Sequence, residues 1–227
     1  MMSPSIIVTI PDGVTEIGES VFYQCSNLTD ISIPNSVTTI GGHAFSGCSN
    51  LSSIIIPKGI TSIGYGAFSD CKALTSLTIE TGVTSIGISA FSGCLNLLSV
   101  SIPESVTSIG KGAFSWCTNL TSVLIPNSID TIEEYTFADC VNLTSIDIPE
   151  SVTSIGKSAF YGCSSLISVT IPNSVASIYD SAFSGCTALT SLTIGNGVNS
   201  IANNAFGGCE NLKNVYCYTL EVPETDK

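Results

Sequence analysis

Phenylalanine occurs nine times in the 227 residues, and each occurrence lies 23 positions after the last: Phe22, Phe45, Phe68, Phe91, Phe114, Phe137, Phe160, Phe183 and Phe206. Cysteine keeps the same beat three residues later, at Cys25, Cys48, Cys71, Cys94, Cys117, Cys140, Cys163, Cys186 and Cys209. Two columns in one register rule out coincidence. A fixed period of this length is the mark of stacked repeats, and it overrides any domain count based on length. Nine units fit, starting at Ser5, Leu28, Leu51, Leu74, Leu97, Leu120, Leu143, Leu166 and Leu189. Residues 1–4 form an N-terminal extension and residues 5–211 the repeats. Residues 212–227 are a divergent tail, read as a cap or as the first half of a further unit.

Each unit approximates L-T-S-I-x-I-P-x-S-V-T-S-I-G-x-x-A-F-x-G-C-x-N. Apolar residues at its fourth and sixth positions, such as Ile146 and Ile148, share one face of a strand, and neighbouring copies must pair in parallel. Pro149 and its equivalents Pro11, Pro34, Pro57, Pro103, Pro126 and Pro172 end that strand, because proline has no amide hydrogen for the ladder. Val152 and Ile155 allow a second brief extended segment before Gly156. Ala159, Phe160 and Cys163 then form a compact apolar cluster, expected as a tight or helical turn. One unit cannot bury its own apolar residues, so the core comes from stacking coil on coil.

The pattern LTSIxIPxSVTSIGxxAFxGC resembles the BspA-like class of leucine-rich repeats across residues 5 to 216. The match is specific because the post-strand Pro, the Ile-Gly turn and the Ala-Phe-x-x-Cys cluster recur together. Where other leucine-rich repeats carry Asn after the strand, this chain alternates Ser36, Ser105, Ser128, Ser151 and Ser174 with Gly13, Gly59, Gly82 and Gly197. An asparagine ladder is therefore not expected there. The resemblance implies a leucine-rich repeat solenoid, a curved right-handed coil with a parallel β-sheet on its concave side and short turns or helical turns elsewhere. It also implies a surface or secreted protein that adheres to host matrix or other cells.

Composition excludes several functions. With 18 acidic residues, six Lys, no Arg and a net charge of −12, the surface repels phosphates, so neither nucleic acid nor an anionic membrane surface is an expected partner. The apolar residues are spread through every unit and never form a run long enough to span a bilayer. The start, MMSPSIIVTIPDG, lacks the basic and apolar regions of a secretory signal. That leaves open a cytoplasmic protein, or a mature or trimmed chain.

Stacked cysteines recur at about 5 Å but with parallel side chains, so their Cβ atoms stay beyond the usual disulfide separation. We expect a buried column of reduced thiols acting as small hydrophobes, and no disulfides. Cys217 falls at the strand position of Ile148, which points it inward, yet on the last coil it is the most accessible thiol. Metal binding is not expected, since there is no Cys-x-x-Cys spacing and only one histidine. That histidine, His43, occupies a variable position and reads as a solvated surface side chain. Glu133 and Glu134 read as a solvated turn, and no serine stands out as a nucleophile. The chain is read as a non-enzyme without a cofactor. Asn27, Asn50, Asn119 and Asn142 begin Asn-x-Ser/Thr triplets, but these arise from the repeat itself.

What remains is binding. The outward strand positions are mostly Thr and Ser, read as β-favouring filler slightly ahead of an adhesive face, with Ile55 and Leu124 as apolar exceptions. Trp116 occupies a turn position filled elsewhere by Gly47, Gly93, Gly162 and Gly185, and Tyr135 and Tyr161 follow in the next two coils near the same turn. These aromatic departures are candidate hot spots. The weightier alternative is that the rings pack over the turn of the adjacent coil. The leading reading is a protein-binding or adhesion module for a protein or glycan ligand. Two alternatives are a spacer carrying a separate binding domain and an intracellular interaction protein. End-to-end self-association is expected if the chain is a fragment of a longer stack.

Overall fold

The computed structural model describes residues 5–217, so the extension 1–4 and the VPETD segment of the tail lie outside the described residues. The chain winds as a solenoid of nine coils, each contributing to two parallel ladders. The first ladder comprises β1 (Ile6–Thr9), β3 (Leu28–Ser32), β5 (Ser53–Ile56), β7 (Ser76–Ile79), β9 (Ser99–Ser101), β11 (Ser122–Leu124), β14 (Ser168–Ile171), β16 (Ser191–Ile194) and β18 (Asn214–Cys217). In the seventh coil it narrows to a single bridge, Ser145 to Ser168. The second ladder comprises the two-residue strands β2 (Glu16–Ile17), β4 (Thr39–Ile40), β6 (Ser62–Ile63), β8 (Ser85–Ile86), β10 (Ser108–Ile109), β12 (Thr131–Ile132), β13 (Ser154–Ile155), β15 (Ser177–Ile178) and β17 (Ser200–Ile201).

Alternation on the first ladder is as the pattern requires. In β5, Ile54 and Ile56 are buried while Ser53 and Ile55 face out. Pro57 closes that strand and its carbonyl accepts the Ile60 amide at 3.0 Å, forming the turn into the second ladder. The repeat register continues into the tail, where Val215 pairs with Leu192 and Cys217 with Ile194. Cys217 thus has an inward-facing register position, but it is exposed.

The Ala-Phe-x-x-Cys segment corrects the expectation of helical turns, for it contains no helix among the described residues. Two positions per coil adopt left-handed backbone instead: His43, Ser89 and Tyr135 in one column (φ 53–58°), and Asp70, Trp116 and Gly162 in the other (φ 55–70°). Such residues interrupt right-handed winding. Alternate amides turn to the next coil, as when His43, Phe45 and Gly47 N–H donate to the Tyr65, Ala67 and Ser69 carbonyls, while those of Ala44 and Ser46 close local turns. The segment is a third line of inter-coil bonding.

Stacking fills the core with identical columns. The nine Phe rings lie 5.0–5.8 Å apart with interplanar angles of 3–15°. Beside them runs a line of S–H donors: Cys71 Sγ reaches the Phe45 carbonyl at 3.3 Å, and Cys94, Cys117 and Cys140 repeat the contact. The thiols are free and buried from Cys48 to Cys186, and they are hydrogen-bonded as well as hydrophobic. Burial pushes Cys117 and Cys163 up to about 12, and raises Cys71, Cys94 and Cys140 in the same direction.

Hydroxyls and amides bind successive coils too. Thr38, Thr61, Thr84 and Thr107 form one line, each Oγ1 donating to the carbonyl of the equivalent residue one coil back. At the end of the unit, Asn142 Nδ2 donates to Asn119 Oδ1, Asn119 to Asn96 Oδ1, and Asn96 to the Lys72 carbonyl. An asparagine ladder therefore exists, displaced from the post-strand position. At that position Ser36 and Ser151 donate to carbonyls one coil back. At Gly59 and Gly82 a Cβ would collide with the carbonyl of Asn35 or Lys58, which is why glycine alternates with serine there.

Candidate binding site

Trp116 and Tyr135 project from the two left-handed positions of the turn segment, and Tyr161 from the residue after Phe160. Their amides are held by the next coil, Trp116 N–H on Ala138 and Tyr135 N–H on Lys157. This fixes the backbone while leaving the rings 56%, 41% and 45% exposed. The three rings converge on one cleft of about 480 Å³, completed by Ile88, Lys111 and Asp139. Lys111 Nζ is 3.1 Å from Glu134 Oε1, an exposed ion pair between adjacent coils. Ser115, at the cleft floor, donates its hydroxyl to the Gly112 carbonyl. Burial raises the Asp139 carboxyl above its ordinary value.

The rest of the turn ridge carries the same theme. The ring of His43 sits edge-on between Tyr23, at 6.3 Å, and Tyr65, at 4.7 Å. It lies over the next coil's Gly66, where a Cβ would come within 2.8 Å of it, and its Nδ1 is buried without a hydrogen-bonding partner. His43 is thus a packed side chain, which corrects the solvated reading. Ile88 and Tyr179 occupy neighbouring turn positions in the fourth and eighth coils and are exposed. Each of the first eight coils thus places one large side chain on this side. Aligning the turn columns of the sequence would have revealed that regularity, but picking departures one at a time gave only Trp116, Tyr135 and Tyr161.

Ile55 and Leu124 are not part of this cluster. Both are exposed on the sheet face, in β5 and β11. Ile55 borders a separate open cleft of about 610 Å³ with Asp12, Asp30 and Glu80 around it. Much of the Thr and Ser beside them is structural, since Thr75 and Thr121 donate their hydroxyls to carbonyls one coil back. Among the described residues no group of three or more His, Cys, Asp or Glu could hold a metal ion, and no helix is long and apolar enough to cross a membrane.

The family model for the BspA type leucine-rich repeat region matches residues 5–121 and 107–220, in six copies. The chain belongs to this family. Similar leucine-rich repeat proteins are known in three dimensions. A leucine-rich cell surface protein from Faecalibacterium prausnitzii is 32% identical, with a TM-score of 0.56. The match covers 95% of this chain and 60% of that one, so the chain spans less than two thirds of the relative's length. A leucine-rich repeat protein from Bacteroides ovatus is 29% identical with a TM-score of 0.60, covering 91% of this chain and 73% of that one. The T. pallidum leucine-rich repeat protein is 29% identical with a TM-score of 0.50, covering 92% and 78%. No curated protein matches the chain.

Proposed function

We propose that this BspA-type repeat chain is a non-enzymatic binding module that engages a protein or glycan ligand, such as a matrix component, through its turn ridge. The observation that carries the reading is a cost without a folding return. Trp116 and Tyr135 hold left-handed backbone at φ 60° and 58°. For bulky residues that costs about 1–3 kcal/mol each. Gly93 and Gly162 fill the Trp116 column in nearby coils and adopt the same backbone freely. Burial does not recover the cost, because about half of each ring faces solvent. Exposed Trp and Tyr on a fixed backbone suit recognition better than packing. The cell-surface description of the Faecalibacterium prausnitzii protein supports a surface or secreted setting.

The test is a Trp116→Gly, Tyr135→Gly variant, assayed for binding to a panel of extracellular-matrix proteins and glycans. The variant should be more stable than the parent by about 1 kcal/mol or more, since left-handed strain is removed, while saturable binding is lost. Binding that survives in the variant moves the site to the sheet face around Ile55 and Leu124. No binding by the parent to any panel member supports instead a spacer that carries a separate binding domain.

A further inference from the structure

We propose that the turn ridge binds a cationic polypeptide segment, whose Lys or Arg side chains seat on Trp116, Tyr135 and Tyr161 against the carboxylate of Asp139. The inference rests on the reading of the ridge as a binding site and specifies the chemistry of its ligand.

The cleft's own polar groups select the partner. Lys111 is engaged by Glu134 at 3.1 Å, and the Ser115 hydroxyl is given to the Gly112 carbonyl at 3.0 Å. The Lys111 charge is thus paired and the Ser115 proton is committed within the protein. Asp139 is different: among the described residues its carboxylate has no ion-pair partner, and it lies beside the next coil's Gly162, where no side chain covers it. An ionised carboxylate only accepts hydrogen bonds, and ammonium and guanidinium groups only donate them. The ring faces favour the same sign of charge, since a cation is drawn to the negative face of Trp or Tyr. A neutral sugar would find stacking surface and the indole and phenol donors here, but it would leave the Asp139 charge unpaired.

Charge and length turn this local preference into a polypeptide. The chain carries net −12 without a single arginine, so a basic partner is attracted from a distance and an acidic one repelled. The ridge continues beyond the cleft, with the Tyr23–His43–Tyr65 cluster at one end, Asp70 between, and Tyr179 at the other. From the first coil to the eighth it runs roughly 35 Å at about 4.8 Å per coil, the span of about ten extended residues at 3.3 Å each. A small cation would use only one part of such a surface.

Trp116 is the only tryptophan in the protein, so its fluorescence reports the cleft directly. Deca-arginine is titrated at about 0.15 M salt, beside a glycine-serine decapeptide and chitohexaose. The expected result is a saturable change in emission with deca-arginine and none with the uncharged probes. Asp139→Asn should weaken that binding about tenfold or more, and Tyr161→Leu, which keeps apolar area but not the ring, about two- to fivefold. The Asp30→Asn, Asp147→Asn variant on the sheet face should bind as the parent does, and urea unfolding confirms that each variant is folded. Binding that leaves Trp116 emission unchanged, or that Asp139→Asn does not weaken, reduces the effect to general attraction and overturns the proposal. A response to chitohexaose alone also overturns it while leaving the binding-module reading intact. If deca-arginine and the matrix panel both fail to bind, both readings fall.

Discussion

Raising the pH from 8 to 10 should destabilise this protein far more than its few charged residues suggest, because of the thiol column. Cys71, Cys94, Cys117, Cys140 and Cys163 are fully buried, and burial lifts Cys117 and Cys163 to about 12 from an ordinary value of 9.0 and raises the other three in the same direction. The folded-state value lies above the unfolded one. The contribution is therefore fully present below pH 9 and is lost as the pH rises from there towards 12, where only the unfolded chain gives up its protons. Between pH 8 and 10 each such thiol costs roughly 1 kcal/mol, on the order of 5 kcal/mol for the five together. At a urea slope near 3 kcal/mol/M, the unfolding midpoint should fall by about 2 M. The assay is urea unfolding across this pH range, with thiolate ultraviolet absorbance followed in parallel. A Cys94→Ala, Cys117→Ala, Cys140→Ala variant should start from a lower midpoint and lose roughly three-fifths of the pH dependence. An unchanged pH dependence in that variant, or thiolate absorbance at pH 10 from the folded protein that the same variant loses, would refute the reasoning.

Other consequences are more local. Phe114→Ala removes a fully buried ring stacked 5.4 Å from Phe91 and 5.8 Å from Phe137, and should cost about 3–5 kcal/mol in chemical denaturation. Ser128→Ala deletes a hydroxyl that donates to the Val106 carbonyl and should cost about 1 kcal/mol. The matching Ser105→Ala should be neutral or stabilising, because the Ser105 hydroxyl is buried without a partner. Equal losses at the two serines would show that the hydroxyl bond does not govern this column.

The solenoid could be read from the sequence because stacking makes one coil's chemistry recur in every other. Phe and Cys at fixed phase, Pro after the strand, and Ile at the fourth and sixth positions each have one physical use in such a stack. The turn was misjudged for a definable reason. Glycine advertises left-handed backbone at Gly66 and Gly112, but Ser89, His43 and Tyr135 adopt it in the same column without any such signal. The short apolar cluster could therefore pass for a helical turn. His43 was misplaced because its environment comes from Tyr23 and Tyr65, about 20 residues away on either side and stacked on it only once the chain is wound. The candidate site was half legible. Trp116, Tyr135 and Tyr161 stood out as departures, whereas Asp139 gave no sign until its unpaired position beside Trp116 was visible.

The second ladder has one interruption, with β2 to β10 forming one sheet and β12 to β17 another. The widest gap in the ring stack, 5.8 Å between Phe114 and Phe137, falls at the same junction. In a one-dimensional array, cooperativity passes only through nearest neighbours, so the weakest interface decides where the array parts. The first ladder (β9 with β11) and the turn amides still cross this junction, and the first ladder has breaks of its own elsewhere, so under stretching force or partial unfolding this is one of the places where the molecule should part, here into a block of five coils and a block of four. Trp116 belongs to the first block and Tyr135 to the second, so whatever occupies the cleft between them grips both sides of the joint.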